Sequence, residues 1–71
     1  MSAPPPGLYR HYKGGKYRVL HTGLNEATSE PVVVYQAQNE TGQIWVRPVS
    51  SFTEWVDVDG VKIPRFTKIG N

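Results

Sequence analysis

The sequence predicts an all-β protein, a small barrel or barrel-like sandwich of five or six short strands. Three observations carry that expectation. Short runs rich in Val, Tyr, Trp and Ile alternate with polar residues in the manner of half-buried strands. Turn signals recur about every 8–12 residues, the spacing of small β domains. No window keeps the ~3.6-residue apolar period that a helix of more than two turns requires. Closing such a sheet hides its edges and gives a chain of 71 residues one core.

The elements follow in order. Residues 1–7, with Pro4-Pro5-Pro6, favour polyproline II and read as a disordered proline-rich tail, leaving residues 8–71 as the single domain. Lys13-Gly14-Gly15-Lys16 is a turn. Tyr17 to Thr22 reads as a strand with Tyr17, Val19 and His21 on one face. The polar stretch Gly23 to Pro31 is a loop. Val32 to Gln38 is β-branched and aromatic and reads as the next strand. Asn39-Glu40-Thr41-Gly42 is expected as a four-residue hairpin loop, and Gln43 to Arg47 as the return strand that Pro48 stops. Ser50-Ser51-Phe52 suggests one helical turn. Glu54 to Val58 and Val61 to Ile63 flank Asp59-Gly60, a type I′ hairpin signal. Phe66 and Ile69 supply a last short strand or anchor. The expected core is Tyr17, Val19, Tyr35, Ile44, Val46, Phe52, Val56, Val58 and Phe66. Alternation then sends Arg18, Trp45 and Arg47 to the opposite face.

Composition narrows the function classes. A chain this short buries only about 60% of its unfolded surface, which disfavours deep-pocket chemistry. There is no cysteine, which excludes disulfides, thiolate nucleophiles and cysteine-based zinc sites and fits a cytoplasmic setting. The longest apolar run, Val32-Val33-Val34-Tyr35, is far short of a membrane span, and the first residues lack the pattern of a signal peptide. A soluble, bacterial-style cytoplasmic protein without membrane association is expected. The net charge of +2 is unevenly spread: +4 over residues 1–24, −5 over 25–60 and +3 over 61–71. If the two ends pair in space, one basic face results.

The motifs Tyr9-Arg10-His11-Tyr12-Lys13-Gly14, Tyr17-Arg18-Val19, Val33-Val34-Tyr35, Trp45-Val46-Arg47-Pro48, Phe52 and Pro64-Arg65-Phe66 follow one another in order. The set resembles a family of small bacterial proteins catalogued as domain of unknown function sixteen-fifty-three, over about residues 8–69. The resemblance implies an SH3-like β-barrel and implies no activity. Family versions often carry a histidine in the first long loop, near Asn25 of this chain.

No catalytic or cofactor motif is found. Ser50 and Ser51 lack nucleophile-elbow glycines. Glu54 and Asp57 fall on opposite faces of a strand. Gly14-Gly15 lacks the following helix of a phosphate-binding loop. The two histidines, His11 and His21, have no metal-site spacing. The expectation is a non-enzymatic interaction module without metal or cofactor. In the first reading it binds an anionic partner such as nucleic acid. Arg10, Lys13, Lys16 and Arg18 then contact phosphates, Tyr12 or Trp45 stacks on bases, and His11 is either a half-buried hydrogen-bonding residue or a surface contact among them. In the alternative, Trp45, Arg47 and Arg65 with nearby rings form a groove for a peptide or protein. Arg65 has a structural explanation as well, an ion pair with Glu54 or Asp57.

Overall fold

The computed structural model describes residues 3–71; Met1 and Ser2 lie outside the described residues. The chain runs β1 (Gly7–His11), β2 (Lys16–Leu24), β3 (Pro31–Ala37), β4 (Ile44–Pro48), α1 (Val49–Phe52), β5 (Trp55–Val58), β6 (Val61–Pro64) and β7 (Phe66–Gly70). The fold is all-β, as the alternation predicts. Among the described residues there are seven strands instead of five or six, because both the first and the last apolar segments join the sheet. Five strands form one antiparallel sheet in the order β4-β3-β2-β1-β7, and β5 and β6 form a separate hairpin. The single helical turn falls over Val49–Phe52, started by Pro48, which has no N–H for a ladder. None of the helical residues described is part of a helix long and apolar enough to cross a membrane.

Local chemistry explains the connections. The β1–β2 turn is closed by His11 N–H donating to the Gly15 carbonyl and Gly14 N–H to the His11 carbonyl, both at 2.7 Å. In the β2–β3 loop the Asn25 side-chain oxygen accepts the Ala27 N–H at 2.9 Å, so Asn25 is a turn residue. At the β5–β6 turn Asp59 and Gly60 have φ of 52° and 81°, the positive pair a type I′ turn demands, and Asp57 Oδ1 accepts the Gly60 N–H at 2.9 Å.

The core shows how the sheet bends. Tyr9, Val19, Val33, Tyr35, Val49, Phe52 and Phe66 form one buried cluster. Phe66 stacks flat on Phe52 with ring centroids 4.0 Å apart, and its ring lies 5.6 Å from that of Tyr35. Yet β7 and β3 are three strand spacings apart, which in a flat sheet is roughly 14 Å. The sheet is therefore strongly curled, with register shifts at Leu8/Tyr9 and between Val19 and His21 that sharpen the bend. Among the described residues no ladder joins β4 to β7, so these are the two edge strands of the curled sheet.

Two expectations need correction. Ile44 and Val46 are not core residues: they are 50% and 62% exposed, and Val58 is exposed too. Their places are taken by Tyr9, Val33 and Val49. The packed domain also begins earlier than expected, before residue 8. Pro4 is buried, the Tyr9 hydroxyl donates to the Pro5 carbonyl at 2.7 Å, and Gly7 already pairs with Val19. A proline carbonyl is a full acceptor, and the buried Tyr9 hydroxyl requires one.

Candidate aromatic–guanidinium cleft

The site depends on the register of one hairpin. A four-residue loop over residues 39–42 would set Tyr35 opposite Val46. The chain instead closes a five-residue loop over 38–42, with Ala37 N–H donating to the Gln43 carbonyl at 2.9 Å. Tyr35 is then opposite Trp45, and Val33 opposite Arg47. A one-residue slip exchanges the faces of a strand. Trp45 and Arg47 consequently project on the same side as the buried Tyr35 and Val33, while Ile44 and Val46 point outward.

On that side His11, Tyr17, Tyr35, Trp45, Arg47 and Phe66 line an open cleft of ≈ 220 Å³. It takes lining residues from both edge strands, Trp45 and Arg47 from β4 and Phe66 from β7, with His11 from β1. Trp45, 52% exposed, forms its outer wall. The rings behind it pack edge to face, Tyr17 against Tyr35 at 5.5 Å and against Phe66 at 5.8 Å. Such pairs fix their own geometry through the ring quadrupole.

Two polar groups belong to this lining. Arg47 Nε donates to the Tyr35 hydroxyl at 3.3 Å and Nη1 to Ser51 Oγ at 2.7 Å, which fixes the guanidinium plane. Ser51 is reached because α1 turns back immediately after Pro48. His11 packs against Phe66 at 4.9 Å and Tyr12 at 4.6 Å, and its Nδ1 accepts the Lys13 N–H at 3.1 Å. Burial first, and then the charges of Arg65, Arg47 and Lys13, lower the pKa of His11 below its ordinary 6.5. Near neutral pH it is an uncharged imidazole with its proton on Nε2. Burial raises the Tyr9 phenol, keeping it neutral in the core.

The remaining candidates divide among three places. Arg10 and Lys16 are direct cross-strand partners on the outer face of the sheet, and Arg18, opposite Leu8, shares that face. Arg18 Nη1 donates to the Asn71 carbonyl at 3.2 Å. Tyr12 and Lys13 sit at the β1–β2 turn, with the Lys13 ammonium 5.8 Å from the Tyr12 ring. Arg65 is ion-paired with Glu54, and its guanidinium lies 6.0 Å from the Tyr12 ring. The expected single basic-aromatic face is thus split. Arg10, Lys16 and Arg18 are outside, whereas Trp45, Arg47 and His11 are inside, and Tyr9 is buried. Tyr17, Tyr35 and Phe66 also line the cleft, and Ser51, outside the lining, holds Arg47. The first three read as core by alternation, and nothing in the sequence marks Ser51 as a partner of Arg47.

Comparison with known proteins bears on the fold and the family. A family model described as a protein of unknown function, DUF1653, matches residues 7–68. Among solved structures the chain is similar to a crystal structure of a DUF1653 protein from Bordetella bronchiseptica, with 35% identity and a TM-score of 0.86 over 94% of this chain and 88% of that one. No curated protein matches.

Proposed function

This chain belongs to the DUF1653 family of proteins of unknown function, and we propose that it is a non-enzymatic binding module that holds a segment of a peptide or protein in the cleft between β4 and β7. The observation that carries this reading is the register of β4, which sets a half-exposed Trp45 and a fixed Arg47 side by side over a floor of buried rings. Trp, Tyr and Arg in a partly desolvated pocket are the residues that dominate protein interfaces. Aromatic grooves on small β domains take extended peptides in this manner. The cleft, at ≈ 220 Å³, falls below the ~300–1,000 Å³ of small-molecule sites and suits one side chain or chain end. The curl of the sheet supports an SH3-like barrel whose seam is the cleft, and the cysteine-free composition supports a cytoplasmic setting. The test is an NMR shift titration with a pool of short synthetic peptides. Shifts should map to Trp45, Tyr35 and Phe66 and vanish in Trp45→Ala. Absence of any shift in the cleft overturns the reading.

A specific observation favours a second reading, binding of a nucleic-acid backbone on the outer face. Pairing of β1 with β7 brings the two basic ends of the chain together, and neither β1, β2 nor β7 contains an acidic residue. Arg10 and Lys16 are opposed, and like charges directly opposite each other repel unless an anion lies between them. Of its two stacking rings, Trp45 is on the other face, which leaves Tyr12, beside Lys13 at the β1–β2 turn. Contact with phosphates alone gives affinities of ~10⁻⁴–10⁻⁶ M. Titration with an oligonucleotide at ~50 and ~200 mM salt tests it, since backbone binding weakens steeply over that range. Joint replacement of Lys13 and Lys16 by Glu should weaken it further. No shift on the outer face at the lower salt overturns it.

A further inference from the structure

Arg47 and Arg65 are both half-buried, but only one is neutralised. Glu54 pairs with Arg65. Among the described residues no carboxylate pairs with Arg47, whose partners are the neutral hydroxyls of Tyr35 and Ser51. Among the described residues no acidic side chain lines the cleft. A cation removed from water without a counter-ion is costly, and the cost is relieved by an anion brought by a ligand. The two hydroxyl bonds use the Nε donor and one of the two Nη1 donors, which leaves the other Nη1 donor and the Nη2 donors to receive a planar anion end-on in a two-point contact. His11, on the same lining, adds a neutral Nε2–H donor because its Nδ1 is occupied by the Lys13 N–H. One guanidinium beside a neutral donor matches a single negative charge. A dianionic phosphate group is ordinarily met by a cluster of cations, and the other nearby arginine is already paired.

We propose that the group seated in the cleft is the carboxylate of an acidic side chain or chain end of a peptide, held by Arg47 with its carbon stem against Trp45. This rests on the cleft being the binding site, and the test separates the two claims. Peptides of one sequence are titrated in matched forms, one with glutamate and a free C-terminus, the other with glutamine and a C-terminal amide, alongside inorganic phosphate. The carboxylate form should shift the Trp45 indole and bind at least about tenfold more tightly than the amide form, in keeping with the greater strength of charge-assisted bonds. Arg47→Lys keeps the charge but loses the fork and should weaken the carboxylate form about tenfold as well. Lys16→Glu, on the outer face, should not change it. Equal binding of both peptide forms in the cleft sinks the carboxylate while the peptide reading stands. Cleft shifts with phosphate alone sink the choice of anion. No cleft shift with either peptide sinks both. Should Arg47→Lys fail to fold, the matched pair on the wild-type protein still decides.

Discussion

At the scale of single residues, environment and not identity separates the functional from the structural. His11 illustrates it. Burial among rings and three nearby cations lower its pKa in the fold below 6.5. The unfolded chain therefore takes up a proton first as pH falls. Stability is complete above the ordinary histidine range, declines as pH drops through about 6.5 toward the lowered folded value, and levels off below that. Denaturant midpoints measured from about pH 8 to 5 should fall more steeply for the wild type than for His11→Asn, which has no imidazole at this site. Parallel profiles would contradict the burial of His11. Gly7 makes a second case. Its φ is +144°, and an added Cβ would stand 2.7 Å from the Gly70 carbonyl oxygen and 2.9 Å from Lys68 Cε. Gly7→Ala should destabilise the protein by about 1–3 kcal/mol, from backbone strain plus a clash that backbone atoms cannot avoid. A midpoint within error of the wild type would show that β1 and β7 are not so closely joined.

At the scale of elements, turns proved more legible than strand faces. The Asp59-Gly60 hairpin is a local property: two residues with positive φ match the right-handed twist of the flanking strands. A Cβ at Gly60 meets nothing within 4 Å, so the cost of Gly60→Val is conformational alone, about 1 kcal/mol or more. Chemical denaturation followed through Trp55 at the base of the hairpin should report it as a lowered midpoint. The proline arm behaves otherwise. Residues 1–7 carry no alternation and so look free, yet Pro4 is buried and Pro5 supplies the acceptor for Tyr9. Tyr9→Phe should cost about 0.5–1.5 kcal/mol, the usual net worth of one hydrogen bond. Deleting residues 1–5 should cost at least as much, because it also removes the buried Pro4. If neither change moves the unfolding transition, the arm is not docked in solution.

At the scale of the whole molecule, the curled sheet creates two surfaces with different electrostatics. The outer face of β1 and β2 gathers cations without acids, and the inner side gathers rings with one unneutralised guanidinium. The acidic residues are left to the loops and to the β5–β6 hairpin. That hairpin packs mainly on itself and exposes Trp55 and Val61. The radius of gyration of 12.3 Å accordingly exceeds the ~11 Å expected of a compact chain this long. Opposed cations on the outer face carry a folding cost that function can justify. Lys16→Glu converts the pair with Arg10 to an attractive one and should raise stability by about 0.2–1 kcal/mol, more at low salt than at high salt. If it instead destabilises, the cations of that face are held apart and do not interact.

The order of amino acids alone specifies the all-β class, the turn at Asp59-Gly60, the single helical turn after Pro48 and the polarity of the two chain ends. Each is a matter of local propensity and alternation, legible within a few residues. It also brought His11, Trp45, Arg47 and the outer cations forward as candidates, since guanidinium and aromatic groups stand out wherever they fall. Which of them share one cleft depends on contacts between distant strands. The phase of β4 hinged on whether the preceding loop has four residues or five, a difference of one that reverses every side chain. The pairing of β1 with β7 and the curl that brings Phe66 within reach of Tyr35 join residues far apart in the chain. Such contacts are chosen by closing one core, and no local pattern encodes them.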